Sequence, residues 1–268
     1  MPLIKKIESD GMRPTLAEVK SWAGEAGEIL LANFRQRHQI RYKGRFDLVT
    51  EADTASEALI IQKIRTHYPN HEIVTEESGL FPGTQGTWYI DPLDGTINYA
   101  HGLPMFAVSM AYSEHGQTCL AVVYDPIRGE FFSAERGQGA YLNDERIQVS
   151  EAASLTDSLL VTGFPYNAWE TPRNNLDNYG RFARLTQGVR RLGSAALDLC
   201  YVAAGRLDGY WELEIKAWDI AAGTLIVEEA GGRVTDMDGN PDYFQPPYSI
   251  IAAPAPLHAK MLDVIQDK

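Results

Sequence analysis

Cysteine is the scarcest residue in this sequence, with two copies, Cys119 and Cys200, and no C-x-x-C pair. Such sparse cysteine excludes a disulfide framework and fits a reducing compartment, so we predict a cytoplasmic protein with two buried thiols. Long apolar runs are also missing, and the stretch MPLIKKIESDG has no apolar segment of the kind that a secretory signal carries. We therefore expect no membrane partner.

Positive charge is in short supply: 24 lysines and arginines stand against 36 aspartates and glutamates, a formal net charge of −12. A surface that binds the phosphate backbone of nucleic acid needs a basic footprint, so this charge argues against direct nucleic-acid binding. It leaves room for a small phosphorylated ligand, provided that metal cations supply the local positive charge.

Repeats, low-complexity tracts and linker-like stretches are absent from the sequence, so residues 1–268 predict a single domain. Helical periodicity and caps mark residues 15–34, 50–67, 174–187, 194–205, 218–231 and 257–266. Thr15 and Glu18 predict a capping box for the first helix, and Thr50 is the predicted N-cap of the second. We predict a polar loop over 35–46 and an antiparallel meander over 106–149, where short strands alternate with turns. An antiparallel-rich first half, to about 150, and an alternating second half predict an α+β layered sandwich.

Several acids stand at the ends of the predicted elements rather than along helix faces: Asp53, Glu76, Glu77, Asp91, Asp94 and Asp219. Carboxylate oxygens are hard ligands that suit Mg²⁺, and a pair of such ions can hold both the attacking and the leaving oxygen of a phosphoryl transfer. Each acid taken alone also has a plainer explanation, as a helix-dipole acid, a helix cap or a solvated strand end.

The segment DPLDGT is harder to explain as an ordinary turn, because the apolar strand WYI runs directly into it. Pro92 fixes the backbone between the two aspartates, and the carbonyl of Leu93 can turn inward as a further oxygen ligand. The amides of Gly95 and Thr96 would open a helix, and a helix N-terminus binds phosphate. We expect the Thr96 hydroxyl to orient a water molecule.

At this point the motifs resemble a known family. DPLDGTINYAHG resembles the D-P-(I/L/M)-D-G-T-x-N motif of the inositol monophosphatase family, and WDIAAGTLIVEEAGG, at 218–232, resembles its second signature. DLVTEAD at 47–53 and EES at 76–78 match two further family segments in the same order. The resemblance covers nearly the whole chain.

The resemblance implies an αβαβα sandwich, usually a homodimer, that hydrolyses a small phosphate monoester with Mg²⁺. Carried over by position, one ion would bind Glu76, Asp91 and the Leu93 carbonyl, and a second would bind Asp91, Asp94 and Asp219. A third, weaker ion would bind Glu76 through water. Asp53 would pair with Thr96 to position and deprotonate the water for in-line attack, while Gly95 and Thr96 hold the phosphate.

The resemblance also suggests a substrate. Glu212 matches the position that contacts inositol hydroxyls, although it could equally be a surface acid at a strand end. Gly193, Ser194 and Ala195 match the loop that lies against the ring. INYAHG lacks the arginine that histidinol-phosphate phosphatases of the family tend to carry, so we favour inositol 1-phosphate. Fructose 1,6-bisphosphate, a 3′-phosphonucleotide and a protein-binding role remain as alternatives, since some bacterial relatives associate with the transcription machinery.

Two positions depart from the family pattern or align poorly with it. Thr75 stands where the family often has glycine before EES, which puts the local backbone geometry in question. Lys43 lies in the loop thought to shield the metal ions, and we assign it no catalytic role.

Overall fold

Helices and strands interleave throughout the part of the chain that the computed structural model describes, residues 13–36, 41–42 and 48–267, without the side chains of 41, 42 and 48. The helices are α1 (Leu16–Asn33), α2 (Glu51–His67), α3 (Thr96–Ala100), α4 (Leu176–Leu185), α5 (Ala195–Ala203), α6 (Ala217–Glu229) and α7 (Ala255–Ile265). Short strands β1 (Arg41–Tyr42) and β2 (Leu48–Val49) pair with each other.

Eight strands form the larger sheet, and the antiparallel meander that the sequence predicts makes up most of it. The strands are β3 (His71–Thr75), β4 (Gly79–Phe81), β5 (Gln85–Asp94), β6 (Ala107–Glu114), β7 (Gln117–Asp125), β8 (Glu130–Glu135), β9 (Gly139–Leu142) and β10 (Glu145–Ile147). They lie in the order β10-β9-β8-β7-β6-β5-β3-β4. Within this sheet, β3 and β5 are parallel, so both run toward the same edge and deliver Glu76 and Asp91 there.

Five strands form the smaller sheet: β11 (Leu159–Thr162), β12 (Gly188–Arg190), β13 (Gly209–Ile215), β14 (Arg233–Thr235) and β15 (Tyr248–Ala253). Their order is β12-β11-β13-β15-β14, with β11 parallel to both of its neighbours. Helix and strand alternate over most of residues 159–265, with a direct step from β14 to β15.

The layers follow from which helices contact which sheet. Helices α1 and α2 cover one face of the larger sheet, α5 and α6 lie between the two sheets, and α4 and α7 cover the outer face of the smaller one. Helix α5 is buried on nearly all sides, as a helix between two sheets must be. The arrangement is the predicted αβαβα sandwich.

The helix starts show how local sequence sets these elements. Thr15 caps α1 by accepting from the Glu18 amide at 3.3 Å, and Glu18 accepts in return from the Thr15 amide at 2.9 Å. Thr50 caps α2 in the same way, and its own amide donates to Asp53 Oδ2 at 2.9 Å. Both caps were predicted from the sequence, and both are confirmed.

The predicted loop over 35–46 differs from the structure, because Arg41–Tyr42 is a strand paired with Leu48–Val49. Each of these strands has only two residues, and the many charged residues around β1 resemble a polar loop, so the sequence does not show the pairing. Lys43, Asp47 and the N-terminal stretch to residue 12 lie outside the described residues. Among the described helices, none combines the length and the apolar composition that crossing a membrane requires. The single-domain assignment for 1–268 stays a prediction.

Candidate active site

One cleft of about 170 Å³ collects most of the site residues that the sequence predicts. Those lining it are Glu76, Asp91, Leu93, Asp94, Gly95, Thr96, Gly193, Ser194, Ala195, Glu212 and Asp219. Asp53 is the exception, because it lies fully buried behind Thr96 rather than on the cleft wall. The cleft is lined by groups from the ends of β3 and β5 and the starts of α3, α5 and α6, with Glu212 contributed by β13.

A bulge explains how two aspartates three residues apart reach the same cleft. In a regular strand, residues separated by an odd number point to opposite faces. Asp91 pairs with Ser109 and Asp94 with Ala107, so β5 carries one residue more than β6 over this stretch. The extra residue returns Asp94 to the side of Asp91. Pro92, which has no amide to donate, stands inside the bulge, where a ladder tolerates it.

Gly95 makes the turn from β5 into α3. Its φ of 95° lies in the left-handed region, and a Cβ there would come 2.9 Å from the Met105 carbonyl oxygen. The turn places the Thr96 hydroxyl 3.1 Å from Asp53 Oδ1 and 3.0 Å from the Leu93 carbonyl oxygen. The hydroxyl has a single proton to donate, so these two acceptors compete for it. The contact between Asp53 and Thr96 that the sequence predicts is thus present.

Asp94 caps the helix that carries the predicted substrate loop. Its Oδ2 accepts from the Ser194 hydroxyl at 2.5 Å and the Ala196 amide at 2.8 Å, and its Oδ1 accepts from the Ala195 amide at 3.3 Å. The positive end of α5 and these donors stabilise the carboxylate. This contact joins the two halves of the chain at the cleft. Asp219 is tied down more simply, by the Lys216 amide at 2.9 Å from its Oδ2.

Too few positive charges lie beside the acids of the cleft to offset their negative charges. Burial, followed by the charges of Glu76, Asp94 and Asp219, raises the pKa of Asp91 well above its ordinary value. Burial also raises the pKa values of Asp94 and Asp219, although the Ser194 hydrogen bond opposes the shift at Asp94. Of the ion pairs between described residues, none includes Asp91, Asp94 or Asp219. The charge of Arg191 lowers the pKa of Asp94 in part, and hard cations fit the oxygen ligands of this set.

The described acids of the cleft nevertheless stand apart from one another. No three His, Cys, Asp or Glu side chains among them are gathered closely enough to hold an ion as they stand. Mutual repulsion opposes a closer approach. Asp91, Asp94 and Asp219 each accept from a backbone amide instead, as Asp91 does from the Leu93 amide at 2.9 Å. Binding an ion requires these carboxylates to approach one another.

Glu212 reaches the cleft from β13, in the smaller sheet. The Tyr210 hydroxyl donates to its Oε2 at 2.5 Å, and the carboxylate occupies the space that a Cβ on Gly163 would fill, 2.0 Å from Oε2. Burial raises the pKa of Glu212 from 4.5 to about 7. The carboxylate therefore lies inside the cleft, and the alternative of a solvated surface acid at a strand end does not describe it.

Sequence reasoning missed four charged residues of the cleft: Arg191, Asp198, Glu214 and Lys216. Asp198 is 2% exposed, and its Oδ1 has no hydrogen-bond partner. Burial and then the charge of Glu212 raise its pKa well above the ordinary value. An acid within the apolar run AALDLC was the available signal, because a helix buried on all sides seldom carries one without a use.

The fold and the cleft together define a class of protein, an αβαβα sandwich whose two sheets share an acid-lined cleft. The chain belongs to the inositol monophosphatase family, whose model matches residues 12–268. Both the predicted fold and the predicted family are thereby confirmed.

Individual relatives match over almost the whole chain. The Nus factor SuhB of Pasteurella multocida is 46% identical over 247 residues, which cover 91% of this chain and 92% of that protein. Among solved structures, the extragenic suppressor protein suhB of Bartonella henselae matches with a TM-score of 0.88 and 38% identity, covering 94% of this chain and 98% of that one. An inositol monophosphatase from Anabaena (Nostoc) matches with a TM-score of 0.85 and 42% identity, covering 94% and 95%.

Proposed function

We propose that the protein is a Mg²⁺-dependent phosphatase that hydrolyses myo-inositol 1-phosphate to myo-inositol and phosphate. The observation that carries the proposal is a single cleft that two unlike sets of groups line. One set is Asp91, Asp94 and Asp219, whose pKa values burial raises and which form no ion pair with another described residue, and the other is Glu212 with the loop of Gly193, Ser194 and Ala195. The first set suits metal ions and a phosphate, while the second suits a hydroxylated ring.

The metal ligands we propose are Glu76, Asp91, the Leu93 carbonyl, Asp94 and Asp219, holding two Mg²⁺ ions, with a third and weaker ion at Glu76. Bound ions would neutralise the phosphate and lower the pKa of a coordinated water. The membership of the chain in the inositol monophosphatase family supports metal dependence in general. The number of ions is our proposal alone.

The chain's own groups would orient the substrate and move the proton. Gly95 and Thr96 lie at the N-terminus of α3, where amides lack intrahelical partners and can hold phosphate oxygens. The Thr96 hydroxyl would accept a hydrogen bond from the attacking water and donate to Asp53. Burial raises the pKa of Asp53 to about 6, so near neutral pH the group is mainly ionised and still basic enough to take a proton.

Further acids in the cleft favour a neutral polyol over a second phosphate. Glu212, Asp198 and Glu214 line it together with the proposed metal ligands. Carboxylates accept hydrogen bonds from hydroxyls but repel a second phosphate, as fructose 1,6-bisphosphate or a 3′-phosphonucleotide would bring. Arg191 also lines the cleft, but it is exposed and lies among these acids.

The test is phosphate release with Mg²⁺ and with EDTA across four esters: inositol 1-phosphate, fructose 1,6-bisphosphate, adenosine 3′,5′-bisphosphate and histidinol phosphate. We expect metal-dependent release that is highest for inositol 1-phosphate. A different best substrate would contradict the role that we propose for Glu212 and would leave the proposed metal site unaffected. Release that EDTA leaves unchanged would refute the proposed chemistry.

A second candidate function is a protein-binding role, because several of the curated relatives that match are named Nus factors. The negative net charge leads us to propose protein contacts rather than direct nucleic-acid contacts for such a role. The Asp91→Asn variant separates the two functions. A binding role predicts that this inactive variant still retains partners from a cell extract, whereas partners lost together with turnover would contradict an independent binding function.

We also propose that the protein is a homodimer, as the family resemblance implies. Tyr166, Trp169 and Leu176 are exposed beside the cleft, and apolar surface of this kind marks protein contacts. Light scattering coupled to size-exclusion chromatography should give twice the mass of the chain. A monomer mass at micromolar concentration would refute the dimer.

A further inference from the structure

Helix α2 carries a polar stripe on its buried face. Asp53, Ser56 and Glu57 are 0%, 0% and 2% exposed, and Ile60 and Ile64 continue the stripe toward the end of the helix. Spacings of three and four residues place all five on one side. A helix that faces a sheet normally buries apolar groups there, so three polar residues in this position need partners.

The first two residues of the stripe contact the bulge of β5 and the start of α3. The Ser56 hydroxyl donates to the Pro92 carbonyl oxygen at 2.9 Å, and Asp53 accepts from the Thr96 hydroxyl at 3.1 Å. Helix α2 therefore holds both ends of the segment from Pro92 to Thr96, which carries Asp94 and directly follows Asp91.

Glu57 contacts the other turn, the one that follows β3. Its Oε1 accepts from the Thr75 hydroxyl at 2.5 Å and from the amides of Glu77 and Ser78 at 3.1 Å each. Its Oε2 accepts from the Ser78 hydroxyl at 2.5 Å. One buried carboxylate thus receives four donors from three residues that surround Glu76.

The Glu57 contacts act in the turn between β3 and β4, where three residues leave the sheet. Pairing with β5 ends at Thr75, followed by one bond from the Glu76 amide to the Ile90 carbonyl oxygen at 3.3 Å, and pairing with β4 resumes at Gly79, opposite Thr75. Within the turn, the Glu57 carboxylate accepts from the Thr75 hydroxyl before Glu76 and from the backbone amides of Glu77 and Ser78 after it. Thr75, which departs from the family pattern, supplies one of the four donors with its hydroxyl.

We propose that Glu57 is a positioning residue that presents Glu76 to the metal ions and so sets the affinity of the cleft for divalent cations. The inference rests on the proposed metal site but not on the identity of the substrate. Helix α2 would then fix the two segments that carry the metal ligands relative to each other. Glu57 would hold the turn that carries Glu76, and Ser56 would hold the bulge of β5. The role is one of orientation, since Glu57 does not line the cleft.

The test compares Glu57→Gln with the wild-type protein, using Mn²⁺ alone as the probe and electron paramagnetic resonance to count bound ions. Glutamine keeps the size of the side chain but places an NH₂ against donors, so some of the four bonds must be lost. We expect the dissociation constant of Mn²⁺ at the weakened site to rise by about 10-fold to 100-fold, as for other groups that orient metal ligands. In the metal-free protein, hydrogen exchange over 71–81 should be faster.

Activity should respond in a way that a general loss of stability would not produce. At saturating Mg²⁺, we expect kcat of Glu57→Gln to return to within about threefold of the wild-type value, with KM for the ester unchanged. Asp208→Asn is the matched control, because Asp208 also holds a turn through a serine hydroxyl and an amide, at 2.6 and 2.7 Å, but does not line the cleft. It should leave Mn²⁺ affinity unchanged.

Ser78→Ala provides a milder variant if Glu57→Gln does not fold, since it removes one donor and leaves the other three. Its Mn²⁺ dissociation constant should rise by roughly threefold to tenfold, a partial effect of the same kind. Wild-type affinity in a folded Glu57→Gln or Ser78→Ala protein would overturn the inference, as would an equal loss in Asp208→Asn. If the wild-type protein binds Mn²⁺ but hydrolyses no ester, the proposed function fails and the Mn²⁺ comparison still decides the role of Glu57.

Discussion

Removing the charge of Glu212 should make the metal-free protein more stable at alkaline pH. Burial raises the pKa of Glu212 from 4.5 to about 7, so the folded protein holds this proton more tightly than the unfolded chain does. Between those two pH values the unfolded chain has released the proton and the folded protein has not. The free energy of unfolding therefore falls as pH rises through this window, and Glu212→Gln is free of that loss.

The magnitude follows from the shift. One pKa unit corresponds to about 1.4 kcal/mol, so the group costs the folded state about 0.8 kcal/mol at pH 5 and about 3.3 kcal/mol at pH 8. The stability advantage of Glu212→Gln should accordingly grow by up to about 2.5 kcal/mol from pH 5 to pH 8. Because the cleft admits solvent, which weakens the effect of burial, we expect a growth of about 1 to 2.5 kcal/mol.

The assay is urea denaturation in EDTA at both pH values, followed by circular dichroism. Glu228→Gln is the contrasting control, because Glu228 also accepts from a tyrosine hydroxyl, at 2.7 Å, but has Arg136 as an ion-pair partner at 3.1 Å. Losing that partner should destabilise the protein slightly. A stability difference for Glu212→Gln that is the same at pH 5 and pH 8 would refute the reasoning.

The same substitution should weaken recognition of the polyol. A hydrogen bond to a charged group contributes about 1.5 to 3 kcal/mol, so KM for inositol 1-phosphate should rise by roughly 10-fold to 100-fold in Glu212→Gln. A phosphate ester without ring hydroxyls should keep its KM. If KM rises equally for both esters, Glu212 acts on the phosphate end and our placement of the ring is wrong.

Four further predictions follow from single sites. Asp91→Asn should lower kcat by about 10³-fold or more, since several kcal/mol of metal-derived stabilisation is lost, and it should fold normally by circular dichroism; near-normal phosphate release would contradict the metal assignment. Asp53→Asn should lower kcat by about 10²-fold to 10⁴-fold. Since the pKa of Asp53 is raised to about 6, we expect kcat of the wild type to decline as pH falls through that value and kcat of Asp53→Asn not to do so, whereas a decline that the variant retains would assign that titration to another group. His258 is fully buried, and burial lowers its pKa from 6.5 to about 4, so the unfolded chain takes up the proton first. Wild-type stability should then drop by up to about 3 kcal/mol between pH 6.5 and pH 4, a drop that equilibrium denaturation should not find in His258→Gln. Gly95→Ala should cost about 2 kcal/mol of unfolding free energy because of the left-handed φ and the nearby Met105 carbonyl, and wild-type stability would refute that strain.

Much of the architecture could be predicted from the sequence because local chemistry determines it. The threonine caps of α1 and α2 and the Gly- and Pro-punctuated meander each depend on residues close together in the chain. Such signals survive folding, since no distant partner has to be known. Glu76, Asp91, Asp94 and Asp219 were also visible, because they stood together at element ends, whereas Asp198 and Glu214 were not.

What the sequence could not show depends on contacts between distant segments. The spacing of Asp91 and Asp94 makes sense only once the pairing with β6 reveals an extra residue in β5, because the strand alone would place them on opposite faces. Glu57 was hidden for a related reason. On α2 it resembles an ordinary exposed glutamate, and its four donors come from a turn that begins 18 residues later. The clue was its register: it shares the buried stripe with Ile60 and Ile64, and a charge on a buried stripe must be paired or used. Apolar residues are routinely assigned to the buried face of a helix from their spacing of three and four residues. The same assignment applied to polar residues would have found Ser56 and Glu57.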